Sequence, residues 1–95
     1  MKKNNTVEEL TIKYEEDGIV IVNELDKSIL STGAWATVIF RYQEWDRNKQ
    51  AYSPDKYTIR RYKKGGGEYR QQSKFTISSQ NQAQKLIEVL GAWIS

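Results

Sequence analysis

Cations alternate with aromatic rings and side-chain amides in three runs of this chain. Arg41, Gln43 and Trp45 share one parity of the first run, Arg60 and Tyr62 of the second, and Arg70, Gln72 and Lys74 of the third. In extended backbone, residues two apart point to the same side. If the three parities face one side of a sheet, that surface offers cations to phosphates and ring faces to unstacked bases. Each stacked base is worth about 1–3 kcal/mol, which is the chemistry of a single-strand binder. The competing reading is that polar residues mark the solvent side of a half-exposed sheet. Lys63 and Lys64 precede Gly65, Gly66 and Gly67. A phosphate-cradling loop of the Walker type needs Gly-Lys-Ser/Thr at a helix start, and neither is present. The run reads instead as a hairpin tip whose lysines reach a phosphodiester backbone.

The residues that are missing narrow the chemistry further. The 95-residue chain has no histidine and no cysteine. Most zinc sites and every Ser-His or Cys-His nucleophile need one or both. A non-enzyme without metal or cofactor is therefore expected. Glu8, Glu9, Glu15, Glu16 and Asp17 cluster in sequence without the spacing at which ligands converge on a cation, and read as a solvated turn. No run approaches the ~20 apolar residues of a membrane span. The basic start is followed by Thr6-Val7-Glu8-Glu9 rather than an apolar stretch, so no secretory signal is legible and a cytoplasmic location is expected.

Charge is unevenly spread. Residues 1–32 hold four Lys/Arg against seven Asp/Glu, residues 33–78 hold ten against four, and the remainder has one of each. The net charge of +3 thus conceals a strongly basic middle, as a polyanionic partner would require.

Positioning these residues requires a sheet. Residues 7–14 and 19–22 read as a hairpin around Glu15-Glu16-Asp17-Gly18, and residues 25–33 as a polar connection. Residues 34–45 form the longest extended run, with Ala34, Ala36, Val38, Phe40 and Tyr42 as a core parity. A loop over 46–55, a strand over 56–63, a glycine-rich tip and a strand over 69–77 follow. Ser79-Gln80-Asn81-Gln82 then has the form of a capping box. In the helix it opens, Ala83, Leu86, Ile87, Val89, Leu90, Trp93 and Ile94 fall within roughly 160° of arc, wide enough for two contacts. Strands followed by one helix make an α+β domain over residues 7–95, behind a flexible N-terminus at 1–6.

From residue 59 onward the chain resembles transcriptional coactivators of the positive-cofactor-four type and their small bacterial relatives, within the Whirly-like single-stranded-DNA-binding group. The resemblance rests on Ile59-Arg60-Arg61-Tyr62, then Gly67-Glu68, Arg70 and Lys74, Thr76-Ile77-Ser78, and Gln82. Upstream, Gly33-Ala34-Trp35 and Pro54-Asp55-Lys56-Tyr57 are similar to the bacterial members. The chain departs from the family at Phe75-Thr76, where Gly-Ile is usual, and at Ala83, where an aromatic is common. The resemblance implies a curved four-stranded antiparallel sheet and one C-terminal helix, dimerising through the helices around channels for single-stranded DNA. It implies phosphate contacts at Arg60, Lys74 and Arg70, and a ring near the bases at Tyr62. It also implies a role in transcription, replication or repair beside a protein partner of those processes. An RNA-binding module and a protein-interaction module on the same fold are the alternatives.

Overall fold

Two pairs of consecutive residues at positive φ close two of the hairpins of this protein: Asp17 and Gly18 at 51° and 78°, and Gly66 and Gly67 at 61° and 83°. Two-residue turns of this hand match the twist of the strands they join, and the second residue of each pair is glycine, which takes the conformation without strain. The computed structural model describes residues 6–95, so the flexible terminus expected at 1–6 lies, apart from Thr6, outside the described residues. A 3-10 turn at Val7–Glu9 leads into β1 (Tyr14–Glu16), β2 (Ile19–Ser31), β3 (Trp35–Asp46), β4 (Ala51–Tyr52), β5 (Lys56–Gly65), β6 (Glu68–Ile77) and the helix α1 (Gln80–Ile94).

The α+β class stands: one curled antiparallel sheet precedes one C-terminal helix. The sheet runs β1-β2-β3-β5-β6, with β4 paired to the end of β3. Its four long strands are β2, β3, β5 and β6, and the short β1 and β4 bring the number to six.

Register makes two distinct faces. Phe40, Val38 and Ala36 stand opposite Thr58, Arg60 and Tyr62, so these six share the inner face. Ile39, Thr37 and Trp35 stand opposite Ile59, Arg61 and Lys63 and share the outer face. Ala36, Val38, Phe40, Tyr62 and Tyr69 form the core with Val7 and Leu10, which lie across the inner face. The core parity of β3 is therefore as expected from Ala36 to Tyr42, while Ala34 is exposed ahead of the strand. Lys27 Nζ ties the N-terminal segment down by donating to the carbonyls of Glu8 and Leu10 at 2.5 and 2.6 Å. Glu24 Oε1 accepts from Thr11 Oγ1 at 2.6 Å and from the Ile12 amide at 3.2 Å.

Three expectations are corrected. Residues 7–14 are not a continuous strand, because Val7–Glu9 curls so that Val7 and Leu10 both enter the core. The connection expected over 25–33 is largely the second half of β2, where register shifts at Leu25 and Leu30 break the alternation that marks a strand. The loop over 46–55 contains β4, whose Tyr52 hydroxyl donates to the Val20 carbonyl at 2.8 Å. At the helix, Ser79 Oγ accepts from the Gln82 amide at 3.1 Å as an N-cap should. The Gln82 side chain accepts from the Ser78 amide at 2.9 Å, one residue before the position a capping box uses.

Candidate nucleic-acid interface

The hairpin of β5 and β6 holds most of the cations singled out in the sequence, and a register shift within it sorts them onto opposite faces. Arg60 pairs with Lys74 and Arg61 with Ser73, but Tyr62 pairs with Gln71, leaving Gln72 as the extra residue of a bulge. Lys63 then pairs with Arg70. Arg60, Tyr62 and Lys74 consequently lie on the inner face, and Lys63 and Arg70 on the outer one. Arg41 pairs with Tyr57, and Arg41, Gln43 and Trp45 follow the outer parity of β3. The eight expected residues thus do not share one side. A single inserted residue reverses the parity of everything on one side of it.

On the inner face, Arg60 spends its donors on neutral acceptors. Its Nε reaches Thr58 Oγ1 at 3.1 Å and its Nη1 reaches Gln71 Oε1 at 2.7 Å. Lys74, directly across, is exposed, and among the described residues neither cation has a carboxylate partner. Tyr62 is only 5% exposed and belongs to the core, so its ring is not presented to solvent. Burial pushes its phenol above the ordinary value, and the nearby Arg60 offsets part of that rise. Lys64 lies over the Tyr69 ring, 5.5 Å from its centroid, and the Tyr69 hydroxyl donates to the Gly33 carbonyl at 2.6 Å.

On the outer face the residues fall into two groups. Arg41 Nε is 3.6 Å from Asp55 Oδ2, and Gln43 Nε2 donates to Asp55 Oδ1 at 3.1 Å. Trp45 packs edge-on against Tyr52 with centroids 5.1 Å apart. These three organise the end of β3 and its loop. Near the β5–β6 turn, Lys63 stands between Trp35 and Arg70, its cross-strand partners on either side. Arg70 Nη2 is 3.0 Å from Glu68, and Gln72 Nε2 donates to the Arg70 carbonyl at 3.2 Å. Arg61 and Lys63 both lie over the Trp35 ring, at 4.6 and 5.4 Å from its centroid. Trp35 and Arg61 were not among the expected site residues. Trp35 meets these cations only once β3 is registered against β5.

Between these two groups the outer face carries an apolar patch. An open cleft of about 750 Å³ lies between sheet residues Leu30, Ile39, Ile59 and Ile77 and helix residues Leu86 and Leu90. No residue of α1 is buried, and Ile87, Trp93 and Ile94 are 63, 77 and 83% exposed. Among the described residues no group of three or more carboxylates, histidines or cysteines could hold a metal ion. No helix among them is long and apolar enough to cross a membrane. Comparison with protein-family models, with curated proteins and with solved structures finds no match to this chain.

Proposed function

We propose that this protein binds single-stranded DNA with little sequence preference, as a homodimer and without catalysing a reaction, in transcription, replication or repair. The supporting observation is the inner-face pair of Arg60 and Lys74, two cations directly opposed across β5 and β6 with no carboxylate between them. Like charges so placed destabilise a sheet, and a phosphate between them turns that cost into attraction. Because β6 ends the sheet, a strand of nucleic acid reaches this pair from the open edge. Fixed cations on a backbone track read charge and not base identity, which accounts for the weak sequence preference. The dimer is the second element of the proposal. A second copy of the helix face would cover the cleft and the exposed Ile87, Trp93 and Ile94, in keeping with the helix-paired dimers of the family that the sequence resembles.

A fluorescence-anisotropy titration with labelled oligothymidylate tests the reading. About four neutralised phosphates give a slope of log affinity against log salt of roughly −3. Arg60→Ala and Lys74→Ala should each reduce its magnitude by about 0.7 and weaken binding to every sequence alike. Binding that ignores salt, or is unchanged in both variants, sinks the proposal. In that case the cations of β6 guard an edge strand against pairing with other chains. An RNA oligomer of equal sequence in competition settles which nucleic acid is preferred.

A further inference from the structure

The inner face holds cations at its rim but buries its rings, so it has little on which a base can stack. Tyr62 and Tyr69 are 5 and 8% exposed, whereas Trp35, on the opposite face, is 41% exposed. We propose that Trp35, with Arg61 and Lys63, is a separate base-stacking station on the outer face, reached by a single strand that passes around the β6 edge. This rests on the single-strand reading above and adds a second contact to it.

Three observations support the station. First, the indole remains partly exposed although two cations that no described carboxylate neutralises lie over its ring, Arg61 at 4.6 Å and Lys63 at 5.4 Å from the centroid. A base that takes the place of such a cation on the ring gains the π face and frees the cation for a flanking phosphate. Second, the hairpin repeats its like-charge opposition here. Lys63 faces Arg70 as Arg60 faces Lys74, and the two pairs lie on opposite sides of the same two strands. Glu68 answers Arg70 only through an exposed contact, which screens little. Third, the station is clear of the apolar cleft. The cleft lining on β3 is Ile39, four residues from Trp35, or about 13 Å at ~3.3 Å per residue. A second copy seated on the helix face would therefore leave the indole accessible. Along the β6 edge only the uncharged Gln71, Gln72 and Ser73 lie between Arg70 of the outer pair and Lys74 of the inner one.

Trp45→Phe combined with Trp93→Phe leaves Trp35 as the sole indole of the three in the chain. Oligothymidylate of about 16 nucleotides, the upper end of site sizes for sheet-based binders, should quench this emission in parallel with binding seen by anisotropy. In the otherwise unaltered chain, Trp35→Ala should weaken binding roughly 5- to 150-fold, with Trp35→Phe recovering part of the loss. Arg61→Gln and Lys63→Gln should each lower the salt slope by about 0.7. If anisotropy reports binding while Trp35 emission and Trp35→Ala affinity stay unchanged, the station is wrong and the inner-face reading survives. If anisotropy reports no binding, both fall.

Discussion

The two faces of this sheet are finished in different ways. On the inner face the chain supplies its own cover. Val7 and Leu10 sink against Val38, Phe40 and Tyr62, and Lys27 and Glu24 bond the covering backbone to β2. Every described side-chain polar atom that this buries has a partner. On the outer face the cover is α1, and it is incomplete: Ile77 is buried, but no helix residue is, and a cleft remains beneath it. Both faces have apolar residues, so hydrophobicity alone does not separate them. The difference lies in whether the covering segment stays within one chain's reach. A face completed internally contributes to folding, and a face left open is available for association.

Substitutions of similar chemistry should therefore behave oppositely on the two faces. Leu10 is 1% exposed, and Leu10→Ala should lower unfolding free energy by about 2–5 kcal/mol in urea denaturation. The loss should be the same at any protein concentration. Ile87 is 63% exposed, and Ile87→Asp should change the stability of dilute protein by no more than about 0.5 kcal/mol. It should instead remove the concentration dependence of Tm that a dimer imposes, with sedimentation equilibrium reporting a single chain. If Ile87→Asp unfolds dilute protein as severely as Leu10→Ala, the helix is internal cover after all and the contrast disappears.

Much of this arrangement was legible in the residue pattern. Alternation from Ala36 to Tyr42 marked the core side of β3, Asp17-Gly18 marked a hairpin turn, and Ser79-Gln80-Asn81-Gln82 marked the start of α1. The allocation of cations was not legible. Parity propagates only while pairing is regular, and the bulge at Gln72 interrupts it inside β6. Lys74 and Arg70 have like parity in sequence and opposite faces in the fold. Leu25 and Leu30 hid the second half of β2 by the same means. Nothing local announces such an insertion, because the extra residue is defined by its partner strand. Trp35 is the converse case. Its neighbours in sequence are small, and the cations that give it meaning come from β5.

The smallest expected effect sharpens the contrast through pH. Two groups of the sheet have raised affinity for protons, by different physics. Tyr62 is raised chiefly because the inner face excludes water, which disfavours the phenolate. Lys56 is raised chiefly by donating a hydrogen bond to Glu44, 2.6 Å away, against a smaller opposing effect of burial. In both cases the folded state holds its proton to higher pH than the unfolded chain does. The associated stability is complete below the unfolded values of about 10 for tyrosine and 10.4 for lysine, and is lost as pH rises through the folded values. Denaturation midpoints should therefore be insensitive to these groups near neutrality and fall in the alkaline range. Tyr62→Phe should flatten part of that fall, since a ring without a hydroxyl has no phenolate to exclude. Glu44→Gln should flatten less, because the Lys56–Glu44 pair is partly solvated, with side chains 32 and 46% exposed. An alkaline slope unchanged by Tyr62→Phe would mean that water reaches the phenol, and that the inner face is not sealed by the segment of Val7 and Leu10.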